Sequence, residues 1–382
     1  MRVKLGDIFE IGSGGTPSKK HPEYYGGDIP WVKTGDLKNI YLDHIEDTIT
    51  EDGLNNSSAK MYEPGTVLLA MYGATIGATS ILKIPACTNQ ACAAFKPNDK
   101  AVPEFLYFFL RSKKEVFTKD GVGGAQPNIS ASYLKRVEIE LPDLAEQKEI
   151  VDILMKVSSI IAARNQQLTE LDNLIKVRFI ELFGVYPINP MGWETGTIRD
   201  VVTDVRYGSS RPAVNGGKYP YLRMNNITYG GELDLSDIKR IDVPENELEK
   251  CTVRRGDVLF NRTNSKELVG KTCVYDRDEM MVLAGFVIRV RVNDLVLPEF
   301  LSAFLNADFS KKTLLGMCKA AIGQANINAQ ELQNIGIYIP PIERQREFVQ
   351  FKTQIIKSKI VVQKALDEAQ TLFDSLMQEY FG

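Results

Sequence analysis

A chain of 382 residues with 44% hydrophobic and 25% charged side chains has room for two or three ordinary globular cores. Its net charge of −3 excludes a protein that holds nucleic acid by bulk positive charge alone. Five scattered cysteines (Cys87, Cys92, Cys251, Cys273, Cys318), none in a Cys-x-x-Cys pair, and only two histidines (His21, His44) exclude a disulfide framework and a Cys/His zinc site.

In chain order, Met1-Arg-Val-Lys-Leu-Gly-Asp lacks the apolar run of a signal peptide. No later stretch of about 18 uninterrupted apolar residues would span a membrane, so a cytoplasmic protein is expected. Ile11-Gly12-Ser13-Gly14-Gly15 has the composition of a nucleotide-binding turn, which must open a helix; Thr16-Pro17 and His21-Pro22 follow at once, so a loop is expected instead. Thr66-Val-Leu-Leu-Ala-Met-Tyr reads as a strand, and Pro103–Lys114 as a helix begun by proline in its first turn. From about Leu144 to Phe183 no proline or glycine interrupts a helical pattern, which Gly184 ends. The same order then recurs, with strands at Val258-Leu-Phe-Asn-Arg and Phe286-Val-Ile-Arg-Val-Arg-Val, a helix at Pro298–Asn306, and a last helical stretch ending at Phe381-Gly382. The mixture predicts α+β domains.

The recurrence is an internal repeat. Gln126-Pro-Asn-Ile-Ser matches Gln324-Ala-Asn-Ile-Asn at an offset of 198, and the same offset aligns Leu134 with Leu332, Pro142 with Pro340 and Gln147 with Gln345. Upstream, Pro64-Gly65-Thr-Val-Leu-Leu-Ala faces Arg255-Gly256-Asp-Val-Leu-Phe-Asn, with slips where loops are expected. In the first long helix, Ile150, Leu154, Val157, Ile161, Arg164, Leu168, Leu171, Ile175, Arg178 and Leu182 alternate at spacings of four and three. Shifted by 198, the frame gives Phe348, Lys352, Ile355, Lys359, Val362, Leu366, Ala369, Phe373, Leu376 and Tyr380. Such a heptad seam specifies a helix that packs along a partner helix, here the other copy. At about 1.5 Å per residue each helix is a rod of roughly 57 Å, long enough to act as a spacer. The expected domains are 1–142, a helix over 143–184, a second domain over 185–341 and a second helix over 342–382.

Motifs of catalysis are missing. The chain has no Walker loop, no Asn-Pro-Pro-Tyr methyltransferase motif, no Asp/Glu-x-Lys signal in a nuclease setting, and no triad context for either histidine. No catalytic residue and no metal ligand is therefore assigned.

The repeat, the Gly-Gly-Thr-Pro-Ser segment (Gly14–Ser18), the Ile29-Pro-Trp block, the Leu-Pro and Ile-Pro-Pro entries to the long helices, and Glu146-Gln147-Lys with Arg344-Gln345-Arg just after them carry a resemblance. The chain is similar over its whole length to the specificity subunit of a type I restriction–modification system. The resemblance implies two similar α/β target-recognition domains separated by two long antiparallel helices that form an intramolecular coiled coil. Each domain would read one half of a bipartite, asymmetric double-stranded DNA site. The helices would fix the gap and carry methyltransferase subunits, two in number, joined by restriction or translocase subunits where the system cleaves. The chain itself would bind no cofactor, S-adenosylmethionine being held by the methyltransferase partner. The competing class is a coiled-coil scaffold that binds proteins without reading DNA.

Base readout needs paired donors or acceptors on loops, because each base pair presents a distinct pattern in the major groove. In the second domain Arg262, Thr263, Asn264 and Lys266 follow a strand directly, with Arg223, Asn225 and Asn226 next. The aligned loops of the first domain offer Tyr72 with Thr75, and Lys33 with Thr34. Lys19, Lys20 and Arg211 are expected at phosphates, which position without specifying. The Gln-x-Asn-Ile segments recur in both copies despite different expected targets, and a structural turn is expected of them.

Overall fold

The computed structural model describes residues 1–121, 128–265, 268–318 and 325–382. Two compact units emerge: residues 1–164 with 365–382, and residues 165–364. Each unit holds one mixed α+β domain together with part of both long helices, Leu144–Phe183 and Ile342–Phe381.

In the first unit a five-stranded sheet runs in the order Ile11–Ser13, Cys92–Phe95, Val67–Ala70, Thr79–Leu82, Tyr41–Leu42, beside a four-stranded sheet of Thr48–Ile49, Tyr25–Val32, Ala86–Thr88 and Met61–Tyr62. The run Val67–Ala70 is wholly apolar because both of its faces are buried. Val67 and Leu69 enter a core with Phe95, Phe105 and Phe108, whereas Leu68 and Ala70 point the other way, into a cluster with Val32 and Leu82. The second unit repeats this with Val202–Tyr207, Val287–Val292, Val258–Asn261 and Thr272–Val274 in one sheet, and Lys239–Ile241, Tyr219–Leu222, Met281–Leu283 and Thr252–Val253 in the other. Here Val258 and Phe260 face one core and Leu259 the other. In both domains a helix with proline in its first turn, Pro103–Ser112 or Pro298–Asn306, lies against the main sheet.

All ten seam positions of each long helix are buried or half-buried. Within the second unit the two helices run antiparallel: Arg178 meets Glu347 at 2.6 Å, and Lys359 meets Asp172 at 2.7 Å. Within the first unit Ile150, Val151 and Leu154 share a core with Phe381, against which Phe373, Leu376 and Met377 pack. The entry of each helix is held by one glutamine. Gln147 is fully buried, donates from Nε2 to the carbonyls of Lys100 (3.1 Å) and Pro142 (2.9 Å), and accepts from Val102 N at 2.8 Å. Gln345 repeats the pattern with Leu295 O (2.9 Å), Pro340 O (2.8 Å) and Leu297 N (2.7 Å). The amide thus ties the helix to the residue preceding Pro103 or Pro298, which explains why glutamine recurs at the offset of 198.

Among the described residues no helix is long and apolar enough to cross a membrane.

Candidate nucleic-acid interface

Each domain builds the same stem and tops it differently. In the first, Val67–Ala70 turns back into Thr79–Leu82 and the turn is closed by Gly77 N donating to Ala70 O at 2.9 Å. In the second, Val258–Asn261 turns back into Thr272–Val274 and is closed by Gly270 N donating to Asn261 O at 2.8 Å. Gly77 and Gly270 have φ of +80° and +78°, a backbone state in which a β-carbon is strained. The enclosed loops are residues 71–76 and 262–269, the second two residues longer and different in nearly every side chain.

The recurring Asn-Ile segment pairs with both loops. Ile129 N donates to Met71 O (3.0 Å) and Ile327 N to Arg262 O (2.9 Å), while Asn128 bridges Tyr72 and Asn326 bridges Thr263. Ile129 and Ile327 are buried core residues, and Ser130 and Asn328 cap the short helices Ala131–Arg136 and Ala329–Gln333. Those positions fulfil the structural role read from the sequence. Asn128 and Asn326 share in it through their pairing with Tyr72 and Thr263, while both stay exposed beside the divergent loops. Gln126, Gln324 and Lys266 lie outside the described residues.

Two further segments complete each cluster. Gly15 N donates to Thr88 O (2.9 Å), as Ser209 N does to Leu283 O (2.6 Å). A β-carbon on Gly14 or Gly208 would lie 1.8 or 2.1 Å from those same carbonyls, so glycine is required by close approach of backbone to backbone. The Gly14–Gly15 segment is thus an extended loop with no helix after it. The short turns Thr34–Asp36 and Met224–Asn226 are also alike: Lys33 N donates to Asp36 Oδ2 at 2.7 Å and Arg223 N to Asn226 Oδ1 at 2.9 Å.

Among the candidate residues, Arg262 is half-buried at the start of its loop. Its guanidinium lies 4.7 Å over the ring of Tyr207, whose hydroxyl accepts from Ala329 N at 2.8 Å. Stacking of this kind holds the planar fork in one orientation. Among the described residues, Arg262 Nε and both amide atoms of the fully buried Asn261 lack hydrogen-bond partners; the first domain has Ala70 in place of Asn261. Asn264 and Asn225 are half-buried and exposed, and Tyr72 is 41% exposed, while Thr34 and Thr75 are half-buried. Tyr207 and Phe286, at 42% and 55% exposure, were not singled out from sequence; Phe286 O accepts from Arg262 N at 3.0 Å. Their only sequence signal was an aromatic residue at the end of one apolar run and the start of another.

Two candidates serve the loops from beneath, which corrects their assignment as readers. Asn226 is 2% exposed and its Nδ2 donates to the carbonyls of Asp234 and Asp237, so its amide shapes the turn that carries Asn225. Thr263 is 8% exposed and its hydroxyl donates to Asn326 Oδ1 at 3.2 Å.

The cations divide by partner. Lys33 pairs with Asp47 (2.6 Å), Arg223 with Asp237 (2.8 Å), and Arg211 with Glu247 through two bonds of 2.7 and 3.1 Å. The Arg223 hydrogen bond, helped by Lys239, holds the Asp237 carboxyl below the usual range, and Arg211 does the same for Glu247. Exposed pairs of this kind are worth little. Lys19 and Lys20 are exposed on the turn before Pro22 and make no ion pair among the described residues. The five cysteines are buried, and burial pushes Cys92 and Cys273 up to about 12, far from a reactive thiolate. No cluster of three potential metal ligands occurs among the described residues.

The model of the type I restriction modification DNA specificity domain matches twice, over residues 1–173 and 190–369. The chain is 32% identical over 262 residues to the MjaIX type I restriction enzyme specificity subunit of Methanocaldococcus jannaschii, covering 61% of this chain and 59% of that subunit. It is 22% identical over 373 residues to the EcoKI specificity subunit of Escherichia coli, covering 92% and 80% respectively. Two solved structures share the fold across the whole chain. One comes from work on type I restriction–modification assembly, with a TM-score of 0.62, 20% identity and 97% of that chain covered. The other is the type I S subunit of M. genitalium, with a TM-score of 0.58, 14% identity and 96% covered. With both of its halves matched and the same stem carrying different loops in each, this chain belongs to the type I restriction modification DNA specificity family, as two tandem copies of the specificity domain.

Proposed function

We propose that the chain is the non-catalytic subunit that gives a type I restriction–modification complex its DNA sequence specificity. Each loop cluster reads one half of a split, asymmetric double-stranded site, with Arg262 and Asn264 in one domain and Tyr72 and Thr75 in the other at base edges. Lys19, Lys20 and Arg211 contact phosphates, and the long helices set the distance between half-sites. Two methyltransferase subunits, holding S-adenosylmethionine, dock on the helices and perform adenine methylation; restriction or translocase subunits join where the system cleaves. The observation that carries this reading is the shared geometry of the stem beneath a divergent loop, residues 71–76 against 262–269. A common frame presenting different side chains is what two non-identical half-sites require. Exposed apolar side chains on the helices, including Ile153, Ile160, Val177, Ile360 and Val361, support docking of partners there.

The test is single-molecule methylome sequencing of a host expressing the chain with its methyltransferase subunit, against a host lacking only this chain. A split motif that depends on the chain supports the proposal. Absence of any motif from an assembled, expressed complex refutes it and leaves a protein-binding scaffold.

A further inference from the structure

We propose that a cavity in the second unit binds a small organic anion with an apolar body, whose charge is received by Lys352. The cavity measures about 660 Å³ and is walled by parts of both long helices and by the helices Pro298–Asn306 and Asp308–Met317. Pockets of roughly 300–1,000 Å³ suit a single small molecule. Phe179 and Phe348, 5.2 Å apart, give it an aromatic wall.

The repeat shows that this cavity is not a consequence of the architecture. Lys352 occupies the seam position that Leu154 occupies in the other copy. Leu154 is 0% exposed in a continuous apolar core, in which Phe108 and Phe373 also meet at 6.1 Å. Replacing an apolar seam residue with an ammonium group is costly unless an anion pairs with it. The other seam lysine meets that condition: Lys359, in place of Ile161, contacts Asp172 at 2.7 Å and Glu232 at 3.0 Å. Lys352 has no hydrogen bond or ion pair among the described residues, and burial lowers its pKa. Glu299 and Glu232 lie near enough to attract the Lys352 charge without pairing with it, Asp172 and Glu232 are already engaged by Lys359, and Asp308 is the remaining carboxylate lining the cavity. Against these stand Lys176, Lys312 and Lys352, with Lys311 also on the wall but donating to Gly270 O at 2.5 Å. An apolar wall with excess positive charge selects an amphiphilic anion over a neutral or cationic ligand.

The probe is 8-anilinonaphthalene-1-sulfonate, an aromatic monoanion, titrated into the full chain and into Lys352→Leu and Lys352→Arg variants by calorimetry. One saturable site is expected, at least tenfold weaker in Lys352→Leu and retained in Lys352→Arg. Because the dye also adheres to exposed apolar surface, amine acylation read by mass spectrometry accompanies the titration. Saturating dye should protect Lys352 and leave Lys19 and Lys20 reactive. Equal affinity in the parent and a folded Lys352→Leu variant overturns the proposal, as does no saturable site. If Lys352→Leu does not fold, the acylation pattern of the parent decides, and unprotected Lys352 overturns it.

Discussion

Gln147→Leu isolates the contribution of the buried amide at the helix entry, because leucine keeps the volume and removes every hydrogen bond. Val102 N–H loses its 2.8 Å acceptor, and the carbonyls of Lys100 and Pro142 lose donors at 3.1 and 2.9 Å. An orphaned buried donor costs about 1–3 kcal/mol, and each carbonyl, with a second lone pair to use, costs less. The greater apolar surface of leucine returns roughly 1 kcal/mol. The net loss should be about 2 kcal/mol, a large part of the stability of about 5–15 kcal/mol typical of a folded protein. In urea, where slopes for small proteins are about 1–3 kcal/mol per molar, the midpoint should fall by about 1 M. Gln345→Leu should do the same, since its three bonds have nearly the same lengths, and the double variant should show the sum because the two amides share no partner. Far-UV circular dichroism against urea reads all three. Midpoints that move by less than about 0.3 M, or that move for one glutamine and not the other, would show that the recurring geometry is not what holds the helix entries.

Four other outcomes are expected. Arg262→Ala in the assembled complex should cost about 1–3 kcal/mol on cognate DNA and relax preference in one half-site only; equal loss on unrelated DNA, read by fluorescence anisotropy, would make it a phosphate contact. Asn128→Ala and Asn326→Ala should each weaken binding to every sequence alike without changing the salt slope, because a neutral amide common to both domains touches what both half-sites share; a base-specific loss would refute this. Deleting seven residues from both long helices in register removes about 10 Å of each, and the methylated motif should close its gap by about three base pairs; an unchanged gap refutes the ruler. Burial, aided by Lys271, brings Lys311 down to about 8, below the roughly 10.4 of an unfolded lysine, so the unfolded chain holds more protons between these values and stability must rise with pH across that window. Thermal melts from pH 7 to 10.5 should therefore favour the parent progressively over Lys311→Met, and a constant difference would contradict the sign.

The architecture was legible because its determinants are local or periodic. Both long helices show a seam that no proline interrupts, and the structure leaves all twenty seam positions buried or half-buried. The helices begun by Pro103 and Pro298 lie where proline in a first turn put them. The strand at Val67–Ala70 was readable as a buried run, but that its alternate residues serve two different cores follows only from the packing of two sheets. The role of Gln147 and Gln345 was visible as a coincidence of register and invisible as chemistry. Besides the nearby Pro142 and Pro340, their partners include Lys100 and Leu295, 47 and 50 residues upstream in loops with no pattern of their own.

The candidate interface divides along the same line. What both domains share is fixed by the fold and so is marked by the repeat: the glycines that close the stems, the close approach of Gly14 and Gly208 to a neighbouring strand, the buried Ile129 and Ile327. What differs is the part proposed to carry specificity, and it has no second copy to be compared with. Loop composition gave Asn226 and Thr263, which the fold buries, the same weight as Arg262, Asn225 and Asn264, because alternation between buried and presented side chains in a short turn has no period to read. Asn128 and Asn326 are a different case. Their recurrence was ascribed to folding, and their pairing with Tyr72 and Thr263 agrees with that, as do the buried Ile129 and Ile327 and the capping Ser130 and Asn328. Because both also stay exposed beside the divergent loops, the Asn128→Ala and Asn326→Ala variants decide whether they serve folding alone or also meet what both half-sites would have in common, the sugar–phosphate backbone.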